Sequence, residues 1–311
     1  MKLIQGCSGT VLMFAFLAQC GIFFGELHAQ SVEVLVLGTA QDAGHPQAGC
    51  EKSCCSETIR HPERQHWVSS IAFSDGEQFY IIDATPNFTS QLAMAKEHFQ
   101  GQNLGGIFIT HAHIGHYTGL MYLGREAMAS LDVPVYVMPR MKKFLERNGP
   151  WDQLIRIHNI KLMELTDGQT VHLNDIAVTP MRVPHRDEYS ETVGFRISGP
   201  TSSLLFIPDI DKWERWNRPI AEMVLSVDHI LLDATFFSAS EIPGRNMAEI
   251  PHPFVTETID VLSSLPDEEK KKVHFIHLNH TNPLLRTDSD ATNTVNEAGM
   301  QIARRGMTLP L

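Results

Sequence analysis

Positive charge is scarce in this chain. Lys and Arg number 25 against 36 Asp and Glu, a formal net charge of -11. Binding a nucleic-acid backbone relies on clustered Lys and Arg, so this balance argues against a nucleic acid and for a small-molecule substrate. The sequence also lacks internal repeats, low-complexity tracts and linkers rich in Gly, Ser or Pro. Nothing in its 311 residues reads as a domain boundary, so one domain is expected from residue 30 to residue 311. Cysteine is sparse as well, at five residues.

The first 29 residues read as a secretory signal peptide. Lys2 precedes an apolar stretch from about Val11 to Phe24, and Gly25-Glu26-Leu27-His28-Ala29 offers a cut after Ala29. Export to a periplasmic or extracellular location is the expectation. A membrane association would need this leader to be retained, or lipidated near Leu17-Ala18-Gln19-Cys20. Cleavage removes Cys7 and Cys20 and leaves Cys50, Cys54 and Cys55. An odd number of cysteines in an exported protein cannot all pair internally. One disulfide plus a free thiol is one reading. A three-thiolate metal site completed by a histidine is the other, and it leaves no cysteine over.

Histidine, by contrast, is abundant at sixteen residues. Three of them crowd into Thr110-His111-Ala112-His113-Ile114-Gly115-His116, directly after the apolar run Gly106-Ile107-Phe108-Ile109. That run reads as a buried strand, which puts the histidines on the loop at its end, where a sheet presents chemistry. Imidazole is also the commonest transition-metal ligand.

The remaining pattern mixes α and β. Ser31 to Gly38 is a strand, followed by a long loop from Thr39 to about Trp67 that must be functional or clamped. Val68 to Ser74 and Gln78 to Asp83 form a hairpin about Asp75-Gly76. Helices are expected at Phe88–Phe99, Tyr117–Ser130, Pro139–Asn148, Lys212–Leu225, Pro253–Leu265 and Asp288–Arg304, the last capped by Asp288 or Ser289. Strands are expected at 107–109, 133–138, across 160–208, at 229–233 and at 273–278. Several strands end in His or Asp: Asp83, His111, His185, Asp209, Asp233 and His277. Strand ends along one sheet edge bring distant side chains together.

These residues resemble the metallo-β-lactamase superfamily. His111 to His116 looks like its HxHxDH signature, and His185, Asp209 and His277 follow in the expected order, with Asp83 as the early strand-end aspartate. Within the superfamily the chain is most similar to the pyrroloquinoline quinone biosynthesis protein B (PqqB-like) group. Leu37-Gly38 before the cysteine loop, Leu232-Asp233-Ala234-Thr235-Phe236 and His277-Leu278-Asn279-His280-Thr281-Asn282-Pro283 carry that likeness. It is also similar to the cyclic phosphodiesterases of phosphonate metabolism. The resemblance implies an α+β fold, the metallo-β-lactamase-type four-layer αββα sandwich, with a dinuclear site. His111, His113 and His185 would bind the first metal, His116 and His277 the second, with Asp209 bridging. Cys50, Cys54, Cys55 and His280 would hold a structural zinc, although the relatives' CxCxxC spacing is altered here. His252 would act as a general acid, its alternative role being an exposed cap of the next helix. Zn is the expected ion, with Fe and Mn as alternatives.

Three neutral imidazoles leave a divalent ion Lewis-acidic enough to bring a bound water's pKa towards ~7, for attack on an ester, phosphodiester or amide centre. A metal-dependent hydrolase is therefore the first functional expectation. An iron-dependent oxidative role in quinone cofactor biosynthesis is the second. A non-catalytic, metal-stabilised binding or carrier protein is the third, because Gly115 stands where the signature has aspartate. Losing that carboxylate predicts a weaker or empty second position unless Asp187 or Glu188 compensates. Elemental analysis of protein purified without added metal separates the two outcomes, and about two ions per chain would imply one catalytic ion plus the cysteine site. About three would show that Gly115 has not emptied the second position.

Overall fold

Strands with apolar residues on both faces must be covered twice, and that requirement sets the layering of this chain. The computed structural model describes residues 32–311 apart from 243, 245, 247 and 248, so the expected leader lies outside the described residues. Six strands, β1 (Glu33–Gly38), β2 (Ser70–Ser74), β3 (Gln78–Ile82), β4 (Asn103–Phe108), β5 (Val133–Val137) and β6 (Ile160–Glu164), lie side by side in that order. The next seven form a second sheet, again in order: β7 (Val171–Leu173), β8 (Ile176–Arg182), β9 (Val193–Ser198), β10 (Ser203–Ile207), β11 (His229–Asp233), β12 (Val273–Ile276) and β13 (Gln301–Ile302). The last strand, β14 (Thr308–Pro310), returns to pair antiparallel with β1.

Alternation along each strand divides its side chains between two interiors. In β3, Tyr80 and Ile82 join the cluster between the sheets, while Phe79 and Ile81 face the helices outside. In β10, Leu204 and Phe206 point inward and Leu205 and Ile207 outward. Helix α1 (Ser53–Arg60) lies in the long connection after β1. The first sheet's outer face is covered by α2 (Phe88–His98), the turn around α3 (Ile114–Tyr117), α4 (Pro139–Arg147) and α5 (Trp151–Arg156). The second sheet is covered by α6 (Ile220–Leu225), α7 (Val255–Leu262) and α9 (Asp290–Glu297), with the short α8 (Asp267–Lys270) following α7. The result is the expected four-layer αββα sandwich. Among the described residues no helix is long and apolar enough to cross a membrane.

Several local expectations differ from the structure. The long loop after β1 is not structureless but folds into α1 and a 3-10 turn, Pro62–Arg64. The helix expected from Tyr117 to Ser130 stops at Tyr117 and continues only as a 3-10 turn, Thr118–Leu123. Gly119 explains part of this, since its N–H donates to Ala84 O at 2.8 Å and a Cβ there would lie 2.3 Å from Thr85 O. The Trp-rich segment splits into a 3-10 turn and α6, with Pro219 at the start of the latter. Helix α9 is capped by Ser289 but ends at Glu297, where Gly299, at φ +78°, lets the chain turn into β13. Helix α5 has no counterpart in the sequence reading.

Strand direction positions the site. β3 to β6 are parallel, as are β10 to β13, so their C-terminal ends share one edge in each sheet. The edges are stitched together by main-chain bonds: Val193 N to Thr110 O at 3.1 Å, Leu278 N to Thr39 O at 2.8 Å and Gln41 N to Leu278 O at 2.9 Å. Phe108, the last residue of β4 and two residues before the histidine segment, is fully buried, stacks on Tyr136 with centroids 4.2 Å apart and meets Phe195 of the facing sheet. Phe108→Ala is expected to cost about 3–5 kcal/mol in urea unfolding. A loss below about 1 kcal/mol would show that the interior closes over the gap.

Candidate metal centre

Asp83 is the first part of the site to be built. It ends β3 in the left-handed region, at φ 69°, a conformation rare for a residue with a side chain. Its carboxylate accepts from Thr110 N at 2.8 Å and from Thr110 Oγ1 at 2.9 Å, and it lies 2.7 Å from His116 Nδ1. His277, at the corresponding end of β12, shares the same strained backbone at φ 65°. Its Nδ1 sits 3.0 Å from Thr235 Oγ1, which donates to Asp233 Oδ1 at 2.7 Å.

The other three histidines repeat this logic. His185 Nδ1 lies 3.2 Å from Asp211 Oδ1, His111 Nδ1 3.0 Å from Thr110 Oγ1, and His113 Nε2 2.9 Å from Glu188 Oε2. In all five rings an oxygen lies against one nitrogen and suits an N–H there, the arrangement that leaves the other nitrogen to present a lone pair inward to a metal. The inward nitrogens are Nε2 of His111, His116, His185 and His277, and Nδ1 of His113.

These nitrogens converge in two groups. His111, His113, His185 and Asp209 offer ligand atoms all within 4.8 Å of one another, and so do Asp42, His116 and His277. Asp209 Oδ2 is 3.3 Å from His111 Nε2, Asp209 Oδ1 is 3.3 Å from His185 Nε2, and Asp42 Oδ1 is 3.3 Å from His116 Nε2. Zinc bonds of about 2.0–2.1 Å put tetrahedral neighbours about 3.3 Å apart. Asp42 Oδ1, His116 Nε2, His185 Nε2, Asp209 Oδ1 and His277 Nε2 are all buried without a hydrogen-bond partner. Buried polar atoms are rarely left so, and a coordinated cation accounts for all five. The donor set therefore fits divalent metal.

Charge in the centre is finely divided. Burial pushes His111 well below the usual imidazole range, assisted by His116, and pushes His277 down as well. Burial opposes charge on His116 too, but Asp83 and Asp42 hold it well above 6.5. His185 rises from 6.5 to about 10, because Asp209 and Asp211 outweigh its burial. Asp209 resists burial in the same way, and His185 and His252 keep it far below the usual carboxylate range.

His252 is buried, which rules out the exposed helix cap considered from the sequence. Its Nδ1 is 2.8 Å from Asp233 Oδ2 and 3.2 Å from Asp209 Oδ1, and these carboxylates raise its pKa although burial opposes them. Of the two residues considered as replacements for the missing aspartate, Glu188 faces His113, while Asp187 accepts from Thr192 Oγ1 at 2.8 Å. Cys50, Cys55 and His280 form a further group within 4.8 Å, whereas Cys54 stands outside it with its sulfur 3.9 Å from that of Cys55. Consecutive residues of a helix point about 100° apart, so Cys54 and Cys55 in α1 diverge.

Asp42, Asp211 and the orienting role of Thr110 and Thr235 were not foreseen. One signal existed for Asp42. β1 is antiparallel to β2 and β2 to β3, so β1 ends at the same edge as β3, and Asp42 follows that end closely.

The beta-lactamase superfamily domain matches residues 79–277. Coenzyme PQQ synthesis protein B of Methylorubrum extorquens (strain PA1) is 26% identical over 319 residues, covering 90% of this chain and 100% of that protein. The crystal structure of Zn(2+)-bound PqqB from Methylobacterium extorquens aligns with a TM-score of 0.75 and 23% identity, over 90% of this chain and all of that one. A diphosphatase from the PhnP family aligns with a TM-score of 0.62 and 22% identity, over 90% and 97% of the two chains. These structural likenesses concern the fold.

Asp83→Asn leaves every inward nitrogen in place while weakening the acceptor that fixes His116. Metal affinity, read by competition with a chelator, is expected to fall about 10- to 100-fold. Unchanged affinity would remove Asp83 from the orienting role.

Proposed function

The chain belongs to the β-lactamase superfamily, and from that premise we propose that it is a zinc-dependent hydrolase acting on an ester, phosphodiester or amide. The observation that carries this reading is the set of five buried, unpartnered ligand atoms gathered at one sheet edge. Bound divalent ions would supply Lewis acidity and a water ionised near neutral pH.

The chain's own residues do the rest. His111, His113, His185 and Asp209 hold one position, and their rings are fixed by Thr110, Glu188 and Asp211 before any ligand arrives. Asp233 holds His252 through Nδ1 and Thr235 through Oδ1, so one carboxylate sets both the proton donor and the orientation of His277. Asp233 and Asp209 raise the pKa of His252 against its burial, which favours the protonated ring that would donate to a departing oxygen.

A second reading, a role in quinone cofactor synthesis with iron, draws on the name of the curated relative. Oxygen uptake by iron-loaded protein would favour it, and hydrolysis without oxygen uptake would favour the first.

With Zn, Mn or Fe supplied, turnover is expected in a screen of phosphodiesters, lactones and β-lactams. Silence across all three would sink the hydrolase reading. His252→Gln is expected to lower kcat about 10²–10⁴-fold on substrates with poor alkyl leaving groups and to change nitrophenyl substrates little. An equal loss on both would mean that His252 is not the proton donor.

A further inference from the structure

We propose that Asp42 is a metal ligand in this chain, supplying to the second position the carboxylate that residue 115 does not. The inference rests on the metal-dependent reading of the histidine centre and goes beyond it by assigning a ligand from a different part of the chain.

Three observations converge. Asp42 Oδ1 is buried, has no hydrogen-bond partner, and lies 3.3 Å from His116 Nε2, which is equally buried and unpartnered. His277 Nε2 shares that condition and completes the group. Two inward imidazoles and one carboxylate give three donors of the kind that bind zinc, iron or manganese.

The second observation concerns space. A Cβ on Gly115 would lie 2.4 Å from Asp42 Cα, 2.4 Å from Asp42 Oδ1 and 3.1 Å from Asp42 Cβ. A side chain at position 115 and Asp42 in its present place exclude one another. Gly115 sits in the helical turn α3 and is not among the glycines with positive φ, so its backbone does not call for glycine. Room for Asp42 does.

Third, Asp42 is held firmly. Ala40 bridges both Val68 and Leu278, Gln41 N donates to Leu278 O, and Gly44 N closes a turn onto Gln41 O at 2.7 Å. The backbone that presents Asp42 is thus bonded to the residue after His277. The same connection continues to Cys50 and Cys55, which meet His280 three residues beyond His277. The carboxylate is therefore clamped between the two clusters rather than carried on a free loop.

Zinc titration of chelator-stripped, full-length protein, with the bound metal counted by elemental analysis, tests this. Wild type is expected to hold two ions among the histidines and one at the cysteines. Asp42→Asn should lose one histidine-site ion, or bind it at least tenfold more weakly, while retaining the other two. Gly115→Ala should do the same without removing any ligand, because its Cβ displaces Asp42. Asp187→Asn should keep all three. If Asp42→Asn and Gly115→Ala both bind as wild type does, the assignment of Asp42 is overturned and the hydrolase reading survives. Failure of wild type to hold a second histidine-site ion would overturn the assignment as well. Full metal loss patterns in a protein silent towards every hydrolytic substrate would instead sustain Asp42 and remove the hydrolase reading. Circular dichroism of each variant distinguishes a lost ligand from a lost fold.

Discussion

Hydrogen bonds to the outward nitrogens of five histidines are what the rest of this centre depends on. An imidazole offers a lone pair in a fixed direction only when its other nitrogen is held as a donor. Asp83, Asp211, Glu188 and the hydroxyls of Thr110 and Thr235 do this for five rings on separate segments. Two of these acceptors are tied together further: Thr110 is bonded to Asp83, and Thr235 to Asp233. Each sheet thus contributes a threonine–aspartate pair behind its own histidines. The strained backbones of Asp83 and His277 are tolerated because buried partners on both sides define them.

Much of the site was legible because it lies at strand ends. His111, His113, His185, Asp209 and His277 each follow a recognisable strand, and the two parallel runs, together with β8, which two antiparallel pairings align with β10, bring those ends to one edge. The layering was legible from strands apolar on both faces. What could not be read was anything supplied across space without a local pattern. Asp42 follows its strand by several residues inside a loop, and nothing nearby marks it. Asp211 and Glu188 act only through the rings they meet. Helices were overextended where glycine, proline or close packing ends them, as at Gly119 and Pro219.

The cysteine cluster gains meaning from its position. Cys50 and Cys55 lie on the connection that begins at the end of β1, and His280 lies just past the end of β12. That cluster and the histidine centre share two short stretches of backbone, joined to each other by the bonds between Thr39, Gln41 and Leu278.

The mutual exclusion between Gly115 and Asp42 has a consequence for how such a site changes through descent. Charge here belongs to a point in space, and either of two chain positions is able to deliver it, though not both at once. Passing from one arrangement to the other takes two changes, and each single step is penalised by a collision or by a missing ligand. The two positions are therefore epistatic. Gly115 taken by itself reads as a lost carboxylate, whereas Gly115 and Asp42 taken together describe one supplied from another segment.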